Sequence, residues 1–504
     1  MNMRAFPLLL LSVPVLIEAQ SDPRLRELDA YAARTVREWR APGLAFAVVK
    51  DGRVVFAKGY GVRELGGAAP VDTQTLFAIG STTKAMTAMA LAMLVDEGKV
   101  KWDDPVAKYL PDFQLNDPYV TREVTVRDLL THRAGLPNAD FLWYGTDLSI
   151  DEIVRRMRMV RPAYSLRSSF IYQNVMYAVA GRVVAAASGM PWAQFLRTRI
   201  FTPLGMTRTV TSLAEASRST NVAAPHFIVD DTVRVISNAA VDAVAPAGAI
   251  WSSIADMAKW TRFILDSGRV DGHALVKAST FAELVKPQAM VPASEFYPTA
   301  RLTHPHWQTY GFGWFQQDYD GRKLDFHTGS IDGMVAIVGV LLDERVGVYV
   351  LSNLDHNEAR HALMLKTLDT FTSAPERDWS AELQKLYGGL RVQAAAAQTA
   401  AEQRRIAGTH PSLPLARYAG SYADSLYGSV TITEDNGLLR LRSGRLDATL
   451  EHWQYDTFRA RWDHRWQGTS MVTFTIGLDG KPSVIDVDGT SFARVQDATN
   501  AAQE

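Results

Sequence analysis

A chain of 504 residues, 47% hydrophobic and 21% charged, is too long for one ordinary core and has the composition of a globular protein with at least two domains. Its 53 Lys and Arg nearly cancel its 54 Asp and Glu, so no basic excess exists to neutralise nucleic-acid phosphates or to hold an anionic membrane. No cysteine occurs, which excludes disulfides, thiol nucleophiles, Cys-ligated zinc and a Cys-linked lipid anchor.

Arg4, the apolar run from Phe6 to Ile17 and small Ala19, followed by polar Gln20, Ser21 and Asp22, predict a signal peptide over residues 1–19 and export to the periplasm or beyond the cell. Ile17 and Glu18 depart from the usual cleavage pattern. Neither this run nor any later one has spanning length, so the mature chain is expected to lack a membrane span.

Apolar segments on either side of Lys50-Asp51-Gly52 predict a hairpin from Leu44 to Tyr60. From Ser81 to Val95 the chain is rich in Ala, Met and Leu on nearly all sides and stops at Gly98, which predicts a helix buried in the middle of the protein. Thr125 and Asp128 form a capping-box pattern ahead of a short helix that Gly135 and Pro137 end. Further helices are expected at Asp151 to Met159, Val175 to Ser188 and Ser253 to Ser267.

Strand-like segments return at Tyr310 to Gln317, Lys323 to Phe326, Val335 to Leu342 and Val346 to Leu351, so distant parts of the chain are expected to complete one sheet. Ser380 to Ala407 is Ala- and Gln-rich and predicts a helical linker, broken by Thr409, Pro411, Ser412 and Pro414. Beyond it, five short β segments between Gly428 and Val487 predict a separate small β domain.

Three elements carry candidate chemistry. Ser81-Thr82-Thr83-Lys84, the chain's one S-x-x-K, puts a hydroxyl at a helix start and an amine one turn on, on the same face. A serine is a weak nucleophile until a neighbouring base takes its proton, and a desolvated lysine can be neutral enough to do so. The helix terminus also offers free N–H groups for an oxyanion beside Ser81. Taken singly, the pattern equally describes a helix cap with a solvated lysine. Tyr172-Gln173-Asn174, the one Y-x-N, supplies a phenol whose pKa a lysine ammonium can lower, and an amide able to hold a substrate carbonyl and orient the lysine. Phe326-His327-Thr328-Gly329-Ser330 ends a strand, where Gly329 permits close backbone approach and the Ser330 N–H can serve as a second oxyanion donor.

In this order and spacing the three elements resemble the serine β-lactamase and penicillin-binding-protein superfamily, whose pattern is S-x-x-K, S-D-N and K-T-G. The closer similarity is to the class C β-lactamase-like branch, with its D-alanyl-D-alanine carboxypeptidases, D-aminopeptidases and family VIII esterases, where the middle element is Y-x-N. Leu129-Leu130-Thr131-His132-Arg133-Ala134-Gly135-Leu136, Pro203-Leu204-Gly205-Met206, Pro246-Ala247-Gly248 and Tyr310-Gly311-Phe312-Gly313-Trp314 also look like that branch. The resemblance runs from about Leu25 to Leu354.

The resemblance implies a β-lactamase-like α/β (α+β) catalytic domain with a mostly antiparallel sheet flanked by helices. It implies Ser81 as nucleophile, Lys84 as base, Tyr172 as its proton partner, the N–H groups of Ser81 and Ser330 as oxyanion hole, and Asn174, His327, Thr328 and Gly329 as substrate-binding groups, with no metal or cofactor. His327 stands where class C β-lactamases usually carry lysine, so a permanent cation is replaced by a group expected to titrate near neutrality. Tyr418-Ala419-Gly420-Ser421-Tyr422, His452-Trp453 and Asp456-Thr457-Phe458 resemble the small barrel-like domain of some D-aminopeptidase-type relatives, implying a module for gating the site or forming a homo-oligomer.

The domain expectation is therefore hydrolase over 22–375, linker over 376–414 and β domain over 415–504. The functional expectation is an exported serine hydrolase acting through an acyl-enzyme on small amides, peptides with or without D-residues, or esters. A true β-lactamase and a non-turnover penicillin- or peptidoglycan-binding protein are the alternatives. His304 and His306 have no accompanying metal motif, no G-x-S-x-G elbow exists, and Trp143, Tyr144, Trp251 and Trp314 are candidates to line a cleft.

Overall fold

A computed structural model describes residues 22–495, so the expected signal peptide lies outside the described residues. The first hairpin forms where the Asp51-Gly52 pair requires it, both residues taking positive φ (52° and 76°), with strands Gly43–Lys50 and Arg53–Gly61. The other edge of Gly43–Lys50 takes Val346–Ser352 from the far end of the domain, with Ala45 opposite Leu351 and Val48 opposite Val348. Met334–Leu341, Arg322–Ile331, Phe315–Tyr319, Gln308–Tyr310 and Ala289–Met290 follow in order and complete an eight-stranded antiparallel sheet.

This sheet is covered on both faces, which is why Gly43–Lys50, Met334–Leu341 and Val346–Ser352 are apolar almost throughout rather than alternating. Phe46, Val48 and Val350 pack with Leu28 of the helix Pro23–Glu38 and Leu363 of the helix Ala359–Thr372. Ala45, Ala47 and Leu351 face the other way, toward the helices Thr83–Asp96 and Ile254–Leu265. Every residue from Thr83 to Leu94 is buried, the expected fate of a helix without a polar side.

Helix Trp379–Gln403 leaves this layer with only Trp379, Ser380 and Leu383 buried and leads to a closed antiparallel barrel of eight strands between Gly420 and Arg494. The last strand, Thr490–Arg494, pairs back onto the first, Gly420–Asp424, with Ala423 opposite Ala493, so no open edge remains. The turn Asn436-Gly437 has φ of 52° and 77°, as a two-residue I′ hairpin needs. Tyr418, Tyr422, Phe458 and Phe474 fill the interior.

The barrel docks against the turn that follows the strand Arg322–Ile331 and against the loop around Tyr144. Asp332 accepts hydrogen bonds from Tyr144 Oη (2.6 Å) and Trp466 Nε1 (3.0 Å), while Gln467 Nε2 reaches Tyr144 Oη at 3.2 Å. Arg445 N donates to Gly145 O at 2.9 Å and Arg156 Nη1 to Leu426 O at 2.8 Å. Phe141, Tyr144 and Gly145 thereby close one end of the barrel over a largely apolar cavity.

Candidate active site

Ser81 sits in a 3₁₀ turn, Gly80–Thr82, that feeds the buried helix. Thr82 Oγ1 ties the turn down by bonding Ile79 O (2.8 Å) and Tyr349 Oη (2.6 Å). The backbone then passes the end of the strand Arg322–Ile331 so closely that both contact points must be glycine. A Cβ on Gly80, which has φ of 52°, would lie 2.6 Å from Ser330 N, and one on Gly329 would lie 1.9 Å from Ile79 O and 3.1 Å from Ser81 N. The ladder with Phe315–Tyr319 ends at Phe326, so from His327 onward the strand is paired on one side only, with Met334–Leu341. The glycine contacts bring the backbone N atoms of Ser81 and Ser330 to the same open edge.

Lys84 is fully buried at 0% exposure, and its Nζ reaches Ser81 Oγ at 2.9 Å, Asn174 Oδ1 at 2.7 Å and Ala247 O at 3.0 Å. Three acceptors match an ammonium's three donors. Burial nevertheless pulls the lysine down to about 7, with the Asp140 carboxylate pulling partly the other way. Once neutral, the amine can still donate to Asn174 and Ala247 while its lone pair accepts the Ser81 proton.

Tyr172 stands over this amine, its ring centroid 4.7 Å from Lys84 Nζ. Its phenol pKa moves opposite to the expected direction: burial raises it well above the ordinary value, and neighbouring Ser81 offsets only part of this. A protonated phenol is therefore the resting form. The hydroxyl is itself buried, with Ser81 as the neighbour that favours its ionised form.

Asn174 opens the helix Asn174–Ser188. With Oδ1 on Lys84, its Nδ2 faces Asp140 Oδ1 (3.0 Å) and Oδ2 (3.1 Å), so its amide holds the lysine, and its nitrogen is bonded to protein where a substrate carbonyl was expected. Trp143 Nε1, at 2.8 Å, also donates to Asp140.

His327 also departs from the expectation. At 1% exposure it lies outside the cavity lining, between Tyr310 Oη (3.0 Å from Nε2) and Thr328 O (2.6 Å from Nδ1). Burial, then the Lys84 charge, hold it at about 3, so it is neutral throughout the physiological range instead of titrating there. Thr328 does line the cavity and shares a 2.7 Å hydrogen bond with Tyr297 Oη. Trp251 and Trp314 are core residues outside the cleft, and Trp143 and Tyr144 serve the loop beside it.

Ser81, Tyr172, Thr328 and Ser330 open on one cavity of about 370 Å³, a size typical of small-molecule sites. Sequence reasoning missed Asp140 and Glu295, and quoted His132 only as part of a motif, without a role. His132 has φ of 58°, packs its ring at a tilt 4.4 Å from the Tyr172 ring and accepts from Gln173 N at 2.9 Å, so it fixes the segment that carries Tyr172. Its burial pushes it well below the ordinary histidine range. The Leu130-Thr131-His132-Arg133 motif was the available signal.

An antiparallel sheet between helix layers, with a serine and a buried lysine meeting at its open edge, defines the β-lactamase fold class. The family model described as Beta-lactamase matches residues 28–369, and the chain belongs to that family. A second model, Domain of unknown function (DUF3471), matches residues 404–501. The chain is 29% identical over 496 residues to "Unguisins hydrolase ungD" of Aspergillus violaceofuscus, covering 92% of this chain and 84% of that protein. It is also 29% identical to "Penicillin-binding protein 4" of Amycolatopsis lactamdurans, over 63% of this chain and 82% of that one. Among solved structures, an octameric penicillin-binding protein homologue from Pyrococcus abyssi aligns at 22% identity and TM-score 0.61, covering 93% of this chain and 99% of the other.

Proposed function

We propose that the protein is an exported serine hydrolase that works through an acyl-enzyme on small amides, peptides or esters. The observation that carries this is the 2.9 Å approach of Lys84 Nζ to Ser81 Oγ by a lysine whose burial brings it to about 7. Neutral Lys84 accepts the Ser81 proton as Oγ attacks the substrate carbonyl. The N–H groups of Ser81 and Ser330 receive the oxyanion, and the proton passes by way of Lys84 and the Tyr172 hydroxyl to the leaving group. Water then releases the acid and restores Ser81.

Similarity over 92% of the chain to a protein named as a hydrolase supports turnover over mere binding. A β-lactam carboxylate, by contrast, would find no Lys, Arg or His side chain in the cavity lining, which favours the ester, amide or peptide substrates. Export rests on the pattern from Arg4 to Ala19, and homo-oligomer formation on the octameric homologue alone.

The pH profile tests the assignment of the base. Because the neutral amine is the active form, kcat/KM for a p-nitrophenyl ester should rise about tenfold per pH unit below the Lys84 pKa of about 7 and level off above it. His327→Gln should keep that inflection, since His327 is already neutral there. A profile whose inflection disappears in His327→Gln would assign the titration to the histidine and reject Lys84 as the base.

A further inference from the structure

The cavity above Ser81 carries one acidic side chain in its lining, Glu295, and no basic one. Glu295 Oε2 accepts from the Tyr172 backbone N–H at 3.5 Å, which holds the carboxylate at the segment carrying Tyr172, on the cavity that Ser81 also lines. Phe296, Tyr297 and Phe315 line the same cavity, with the Tyr297 and Phe315 rings 5.0 Å apart. A carboxylate among aromatic faces is the environment that attracts an organic ammonium ion.

The nearby cations do not cancel this. Arg360, 6% exposed, sits one layer behind, giving Nη1 to Gly329 O (2.9 Å) and Ser330 Oγ (3.0 Å) while its other nitrogens pair with Glu358 at 3.2 and 3.1 Å. Lys84 is buried beneath Tyr172 and faces Asn174, whose other side holds the Asp140 carboxylate. The position that would supply a permanent cation to this cleft is the neutral, enclosed His327.

We propose that the site selects acyl substrates bearing a positively charged amine near the reacting carbonyl, with Glu295 as the group that receives the ammonium. This rests on the reading of the cavity as the acyl-transfer site. An aminoacyl compound with a free amine fits the pairing, and one with a free carboxylate in that place is repelled.

The test uses a matched pair, alanine p-nitroanilide and isobutyryl p-nitroanilide, in which a methyl group replaces the ammonium. Both are titrated calorimetrically into the full-length Ser81→Ala protein at about pH 6.5, where the α-amino group is charged. The alanine compound should bind about tenfold more tightly, a preference worth about 1.4 kcal/mol, and added salt should weaken that preference. Introducing Glu295→Gln should bring the ratio of affinities close to one. Equal affinities, no binding of either compound, or a preference that survives Glu295→Gln would each overturn the assignment. Binding by the Ser81→Ala protein needs no turnover, so an amine preference in a protein whose wild type hydrolyses nothing would defeat the acyl-transfer reading and leave the Glu295 assignment standing. Hydrolysis of both compounds with equal affinities would do the reverse.

Discussion

Ser81→Ala is expected to lower kcat toward p-nitrophenyl esters by about 10⁴-fold or more, since removing the nucleophile of a concerted group costs nearly as much as removing the whole group. The fold should persist. The Ser81 hydroxyl accepts a hydrogen bond from Lys84 Nζ, while the turn around it is held by Thr82 on Ile79 and Tyr349 and by the glycine contacts at Gly80 and Gly329. Alanine fits this turn, and Lys84 keeps Asn174 and Ala247 as acceptors. Turnover and the thermal unfolding midpoint, measured on the same preparation, separate the two effects. A folded Ser81→Ala protein with wild-type turnover would remove Ser81 from the mechanism.

The second large effect joins function to stability. In the unfolded chain Lys84 titrates at its ordinary 10.5, and in the native protein at about 7. Below about pH 7 both states hold the proton, and the full cost of burying an ammonium is present. Between about 7 and 10.5 the unfolded state binds the extra proton, so native stability rises with pH through this window as that cost is relieved. Lys84→Met removes this dependence while leaving every other titrating group in place. The stability of wild type relative to Lys84→Met should therefore grow by about 3 kcal/mol from pH 7 to pH 9.5, at about 1.4 kcal/mol per pKa unit. The constant offset is set separately by Asn174 Oδ1 and Ala247 O, which lose a donor in the variant. Urea unfolding of both proteins across this range reads the difference directly. Parallel stability curves would mean that Lys84 keeps an ordinary pKa in the folded protein. Hydrolysis should fall by about 10³-fold or more in the same variant, because Ser81 loses its base.

What could be read from the sequence was local geometry. Ser81 and Lys84 are three residues apart at a helix start, so helical spacing alone brings their side chains together, and Asp51-Gly52 determines its own hairpin. The pairing of sheet strands from opposite ends of the domain was also anticipated, because apolar runs at both ends need partners. Several short barrel strands were not, among them Gly420–Asp424 and Thr490–Arg494, whose pairing is settled only when the barrel closes. Electrostatics proved least legible. Tyr172 was expected to be acidified by a lysine and His327 to titrate near neutrality, yet both are governed by burial, which depends on layers contributed by remote segments such as Tyr310 and the 294–298 loop. Asp140 and Glu295 lack motif signatures for the same reason: their relation to Asn174 and Tyr172 exists only in the folded chain.

The central claim is that Ser81 becomes acylated. It is tested most directly by mixing the protein with a slowly deacylating p-nitrophenyl ester, quenching in acid within the first turnovers and mapping the adduct by peptide mass spectrometry. The predicted result is a mass increase equal to the acyl group on the peptide containing Ser81, absent from Ser81→Ala and discharged from wild type on longer incubation. Release of p-nitrophenol with the acyl group on another residue, or at wild-type rates from Ser81→Ala, would contradict it.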